Sequence, residues 1–286
     1  MKLPFCTLIL LLPAILFAQS KEEKPYKVLT DMIYTDGEGI PQELDLYLPK
    51  GAKDPMPVVV WVHGGGWLNG SKQKPRAEYL AEYGYAVVSI NYRLTHEAIW
   101  PAQIDDCRES VRWVRSHAET YHLDPDNIGV WGSSAGGHLV ALMGTLPYDE
   151  DEKISSKVQA ISDWYGPSEL LSMPPNKVGD GRTEGDVANS NGAKLLGCTV
   201  KDCPDLAHQA SGLDNVSSDD PPFLIMHGDQ DPGVPISQST RLYEKLKAHG
   251  VHAEFQVVEG AGHGGPLFTT GEVKDRVRSF FDSFLK

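Results

Sequence analysis

Short runs of consecutive apolar, β-branched residues alternate along this chain with longer stretches whose apolar positions recur every three or four residues. "PVVVWVH" (57–63) and "YAVVSINY" (85–92) are apolar at nearly every position, as strands covered on both faces are. "IGVWG" (128–132), "VQAISDWYG" (158–166), "PPFLIMHG" (221–228) and "AEFQVVEG" (253–260) read as further strands. "ELDLYLP" (43–49) alternates instead, as a half-exposed strand does. Ile104, Cys107, Val111, Val114, Ala118 and Tyr121 fall at 3-4-3-4-3 spacing. That spacing predicts a helix over 101–121, which "HLDPDN" breaks. Further helices are expected over 135–143 and 237–249. The chain's last helix would turn Val273, Val277, Phe280, Phe281 and Phe284 inward.

Apolar strands alternating with helices make βαβ units. The expected class is α/β: a mostly parallel central sheet with helices on both faces. Ligands on such sheets bind beyond the carboxyl ends of the strands. The stretch 167–220 is long, polar and glycine-bearing, too long for a plain connection. It is expected to be a cap-like insertion over the site.

The N-terminus reads differently. Lys2 precedes an apolar run, "LILLLPAILF" (8–17), and small residues follow at Ala18-Gln19-Ser20. A charged start, an apolar run too short to span a bilayer and a small-residue end make a secretory signal peptide. The expected organisation is a signal peptide over 1–20, cleaved after Ala18 or after Ser20, and one α/β domain over 21–286. The mature chain is then exported, periplasmic or extracellular, with no further segment for membrane insertion. Export permits disulfides. Cys198 and Cys203 bracket the polar "TVKD" and are the candidate pair, while Cys107 falls in an apolar helix stripe and reads as packing.

The 286 residues, 41% hydrophobic and 23% charged, make an ordinary globular composition. The net charge of −13 repels phosphate backbones, so nucleic acid is not an expected partner. There is no H-E-x-x-H, no Cys/His metal cluster and no Walker or dinucleotide fingerprint. Neither a cofactor nor a metal is expected, and the oligomeric state is left open.

The candidate chemistry begins at "VWGSSAGGH" (130–138). Gly132-Ser133-Ser134-Ala135-Gly136 fits G-x-S-x-G between an expected strand and an expected helix, and only Ser134 holds the middle position. A serine at such a turn is pushed out above the sheet. Flanking glycines remove side chains that would collide there. A hydroxyl is a poor nucleophile unless a base takes its proton, and histidine is the usual base. Ten histidines are present. The orienting acid is Asp229 or Asp231, both just past a strand end.

Four segments together resemble the α/β-hydrolase fold, and within it the hormone-sensitive-lipase-like esterases, over roughly residues 26–286. "HGGGW" (63–67) matches their oxyanion motif and "GSSAGG" (132–137) their nucleophile elbow. "HGDQDPGVP" (227–235) looks like their acid loop and "GAGHG" (260–264) like their histidine loop. "DWYGP" (163–167) and "DDPPFLIMHG" (219–228) are similar to exported bacterial acetyl xylan and feruloyl esterases. One departure is Ala210-Ser211-Gly212, where such proteins often have Ala-Ser-Pro.

The resemblance implies a triad in the order Ser, Asp, His. Its spacing selects Asp231 over Asp229, leaving Asp229 to the loop backbone. Its order leaves His249, His252 and His263 as bases. Of these, His249 lies at a helix end and His252 borders a strand, so His263, in a glycine-bounded loop, is the candidate. Backbone N–H groups of Gly65, Gly66 and Ala135 would form the oxyanion hole. His63 is expected to brace that loop and His138 to pack locally. Trp67, Trp164 and Tyr165 are candidates to stack on a sugar or aromatic acyl group. The implied activity is hydrolysis of a small ester or an acylated oligosaccharide through an acyl-enzyme. A prolyl-oligopeptidase-like peptidase and a non-catalytic ligand-binding hydrolase fold are the competing readings.

Overall fold

The computed structural model describes residues 23–148 and 152–286, so the expected signal peptide lies outside the described residues. The strands are β1 (Tyr26–Thr35), β2 (Gln42–Pro49), β3 (Met56–Val62), β4 (Ala86–Ile90), β5 (Leu123–Ser133), β6 (Ala160–Trp164), β7 (Phe223–Gly228) and β8 (Ala253–Val258). They form one sheet in the order β1-β2-β4-β3-β5-β6-β7-β8. β1 and β2 pair antiparallel, β2 meets β4 antiparallel, and every pairing from β4 to β8 is parallel.

The helices are α1 (Ala102–Ser116), α2 (Ala118–Tyr121), α3 (Ala135–Thr145), α4 (Glu184–Ala188), α5 (Asn191–Leu196), α6 (Pro204–Gln209), α7 (Ser237–Ala248) and α8 (Gly271–Leu285). They cover both faces of the sheet, which is why the central strands are apolar at most positions. Strand alternation divides the core in two. Val58, Val60 and Val62 of β3 and Phe223 and Ile225 of β7 pack with Val111 of α1, Leu139 of α3 and Leu242 of α7. Val59 and Trp61 of β3 and Leu224 and Met226 of β7 face the other way, onto Val277, Phe280 and Phe281 of α8.

Several boundaries differ from expectation. β1 was not anticipated. It is an edge strand, largely exposed, with register shifts between Leu29 and Met32 and between Ile33 and Thr35. Its sequence therefore carries no clean alternation. The helix expected over 101–121 is interrupted after Ser116 and resumes as the single turn of α2, which His122 ends in the left-handed region at φ 58°. β5 begins at Leu123, because "LDPDN" runs on as extended chain and Leu123 pairs with Met56.

Residues 167–220 fold into α4, α5 and α6 joined by single 3₁₀ turns. Thr183 and Asp186 form a capping box on α4, and Ser190 caps α5. A disulfide joins Cys198 to Cys203 after α5. Trp100 N–H donates to Leu195 O (2.8 Å), tying this segment to the chain ahead of α1.

Candidate active site

Ser134 sits between β5 and α3 with φ 56° and ψ −120°. A non-glycine residue held there is strained, and the surrounding structure must hold it. Ser134 N–H donates to Trp164 O of β6 (2.8 Å), pinning the turn to the sheet. A side chain on Gly132 would run into the Gly136 carbonyl, and one on Gly136 into the Val62 carbonyl of β3. Only glycine allows β5, α3 and β3 to approach this closely.

His263 comes from the loop after β8. Ser134 Oγ–H donates to His263 Nε2 (2.7 Å), and His263 Nδ1–H donates to Asp231 Oδ2 (2.6 Å). Asp231, in the loop after β7, uses its other oxygen to accept the N–H groups of Gly233 (2.8 Å) and Val234 (2.9 Å). Burial pushes this carboxyl upward. Hydrogen bonds from His227, His263, Val234 and Gly233 outweigh that and hold it well below the usual carboxylate range. The Asp231 side chain is fully covered, so it holds the imidazole's tautomer from a dry position. Asp229 instead accepts the Gly260 N–H (2.6 Å), stapling the acid loop to the histidine loop.

The loop after β3 faces Ser134. Gly65 (φ 118°) and Gly66 (φ 61°) both take backbone conformations that other residues rarely adopt. Among the described residues, the N–H groups of Gly65, Gly66 and Ala135 find no backbone acceptor, and all three residues line the cleft that holds Ser134 and His263. His63 braces this loop. Its ring stacks on Tyr92 (4.3 Å between centroids), and Nδ1–H donates to Gly64 O (2.7 Å). Burial pushes its pKa down to about 4, against the hydrogen bond to Gly64, so it is a neutral strut at neutral pH.

The cleft has a volume of about 640 Å³. Its apolar wall includes Trp67, Leu170, Met173 and Val234. Its polar lining includes Asn176, Ser190 and Asn191, from the 167–220 segment that also supplies Leu170 and Met173.

The three aromatic candidates separate. Trp67 and Tyr165 line the cleft, and the Tyr165 ring meets His263 edge-on at 4.8 Å. Trp164 is not in the cleft wall, a correction to the expectation. It is 1% exposed and packs between Trp131 (4.8 Å) and Phe268 (5.2 Å). The reason is strand alternation. Trp164 faces the α8 side of the sheet, and only after β6 ends does Tyr165 (φ 43°) turn toward the site. His138 donates Nε2–H to Ala210 O (2.7 Å) from a fully buried position and takes no part in the site.

Sequence reasoning passed over His227. Ser239 Oγ–H donates to its Nδ1 (2.7 Å). Its Nε2–H donates to Val234 O (2.9 Å) and leans on Asp231 Oδ2 at 3.3 Å. The signal was present, since His227 stands four residues before Asp231. It was set aside because only histidines after the acid were weighed. Asn176 and Asn191 had no local signal at all.

A family profile described as BD-FAE matches residues 44–246. The chain belongs to the BD-FAE family. This BD-FAE chain is 32% identical over 204 residues to the probable carboxylic ester hydrolase LipM of Mycobacterium tuberculosis, a match covering 67% of this chain and 45% of LipM. It spans about half the length of the curated relatives it matches first. Among solved structures, a truncated form of a carbohydrate esterase from gut microbiota is 32% identical, with a TM-score of 0.80 over 91% of this chain and 97% of that one. Esterase Est2 of Thermogutta terrifontis with propionate bound is 26% identical, with a TM-score of 0.72 over 91% and 94%. The BD-FAE chain has the α/β-hydrolase fold of these esterases.

Proposed function

We propose that this chain is a serine carboxylesterase working through an acyl-enzyme. The observation that carries the reading is the unbroken hydrogen-bond line from Ser134 Oγ through His263 to the buried Asp231, in a cleft lined by three residues whose N–H groups find no backbone acceptor among the described residues. His263 Nε2 takes the Ser134 proton as Oγ attacks the ester carbonyl carbon. The carbonyl oxygen gathers negative charge against the N–H groups of Gly65, Gly66 and Ala135. As the tetrahedral species collapses, His263 returns the proton to the departing alcohol, leaving an acyl group on Oγ. Water, deprotonated by the same imidazole, then releases the acid. Asp231 stays ionised throughout and stabilises the imidazolium.

The substrate class we propose is the acetyl or feruloyl esters of plant cell-wall polysaccharide. It is supported by the likeness to a carbohydrate esterase and by a cleft lined by both apolar and polar residues. We also propose export. The apolar run over 8–17 supports it, as does the Cys198–Cys203 disulfide, a bond at home in an oxidising compartment. Among the described residues no helix is long and apolar enough to cross a membrane.

The test is acid release from acetylated and feruloylated xylo-oligosaccharides beside a series of simple esters, with wild type and Ser134→Ala. Loss of the serine is expected to lower turnover by roughly 10⁴ to 10⁶-fold. Simple-ester hydrolysis alone would leave the esterase and remove the polysaccharide. Full activity in Ser134→Ala would remove the mechanism, and cleavage of proline peptides without ester hydrolysis would replace it. Amino-terminal sequencing of protein recovered outside the cytoplasm checks export: an intact Met1 there would contradict signal cleavage.

A further inference from the structure

The cleft lining holds two amides whose hydrogen-bonding capacity is not filled among the described residues. Asn176 is 5% exposed. Its Nδ2 donates to Leu170 O (2.7 Å), while its Oδ1 has no partner among the described residues. Buried carbonyl oxygens are nearly always paired, so this one keeps acceptor capacity. Asn191 is the complement. It is exposed within the same cleft, and its side chain has no hydrogen-bond partner among the described residues. Its Nδ2 occupies the space that a Gly66 side chain would take, so a free donor is parked against the loop that faces Ser134. The two residues are close: a side chain on Gly192, next to Asn191, would meet the Asn176 amide at 2.6 Å.

A hydroxyl group both donates and accepts. An acceptor at Asn176 and a donor at Asn191 are the pair that one hydroxyl, or two neighbouring ones, would satisfy. An alkyl alcohol could satisfy neither and would leave both amides unpaired. Among the other lining residues, Trp67 Nε1 is likewise without a partner among the described residues. We infer that Asn176 and Asn191 form a hydroxyl-binding subsite for the alcohol half of the ester, and that Asn191 sets the preference for hydroxyl-bearing alcohols. This rests on the proposed esterase activity, and it names the alcohol by its hydroxyls rather than by any polysaccharide.

The experiment compares kcat/KM on monoacetylated methyl xyloside with that on cyclohexyl acetate, a ring of equal size without hydroxyls. Wild type, Asn191→Ala and Asn191→Leu are measured; the leucine keeps the volume and removes the amide. The xyloside-to-cyclohexyl ratio is expected to fall about ten-fold in both variants, mainly through KM on the xyloside, and a fall of less than about three-fold in either overturns the subsite. The ratio does not depend on the fraction of enzyme that folds, so a poorly folding variant cannot mimic either result. The two proposals fail separately. A wild type inactive on xylo-oligosaccharides whose ratio still drops in the variants loses the polysaccharide and keeps the subsite. A wild type active on them whose ratio does not move keeps the polysaccharide and loses the subsite.

Discussion

Ser134, His263 and Asp231 meet because each leaves the carboxyl end of a parallel strand on a short loop, where strand order brings distant chain positions side by side. Each loop then does one job. Asp231→Asn keeps the shape but offers His263 the wrong hydrogen-bond partner. We expect kcat to fall by about 10⁴-fold with KM little changed, read from steady-state kinetics on a simple ester. Gly66→Ala acts on the oxyanion loop. A Cβ there is strained at φ 61° and collides with the Asn191 amide, so the N–H must move. A loss of about 10²-fold in kcat is expected, since one displaced donor costs roughly that much; an unaltered kcat would show that the Gly66 N–H does not face the developing charge.

The helices matter as covers for the sheet. α8 lays Val277, Phe280 and Phe281 across the face that carries Trp131 and Trp164. Phe281 is fully buried, and its ring lies so close to Gly129 of β5 that a side chain there would meet it at 2.7 Å. Phe281→Ala is expected to cost about 3–5 kcal/mol, measured by denaturant unfolding, with ester turnover per folded molecule unchanged. The elements were legible in proportion to their burial. β3, β4 and β7 show as nearly continuous apolar runs because helices cover both faces. β1 does not, because one face is open to water and its register breaks twice. The interruption after Ser116 was also invisible, since Val114 before it and Ala118 and Tyr121 after it keep the apolar spacing.

Taken as a whole, the molecule carries buried ionisable groups that make its stability depend on pH in opposing ways. Burial pushes His63 and His138 down to about 4 from 6.5, against backbone hydrogen bonds that favour the charged ring. Above pH 6.5 both states are neutral and nothing is at stake. As pH falls toward 4 the unfolded chain takes up two protons that the fold refuses, at about 3 kcal/mol per histidine. Asp163 runs the other way. Burial raises its carboxyl to about 6 from 3.8, against the Gly166 N–H and His227. Its contribution is fully present below 3.8 and is lost as pH rises through 6. Ionised Asp163 at neutral pH therefore costs about 3 kcal/mol. Asp163→Asn keeps the acceptor for Gly166. Thermal melts should show it more stable than wild type at neutral pH, with the advantage gone below pH 3.8; equal melting temperatures at neutral pH would show that the charge is not a burden.

The local order of residues was sufficient for what depends on local order. Runs of β-branched residues set the strands, and the glycines around Ser134 set a turn that other residues cannot make; both follow from sterics and burial within a few positions. Asp231 and His263 came from the resemblance to the hormone-sensitive-lipase-like esterases, whose spacing and order picked them from among residues past strand ends. The fold alone settled what depends on distant partners. Trp164 points away from the cleft because of strand alternation and the α8 side chains that receive it. His227 supports Asp231 because the acid loop folds back over β7. Asn176 and Asn191 line one cleft because a 3₁₀ turn and the Ser190-capped start of α5 bring them there from a polar stretch with no periodicity of its own. A side chain's neighbours across space are set by packing, and packing is a property of the whole chain.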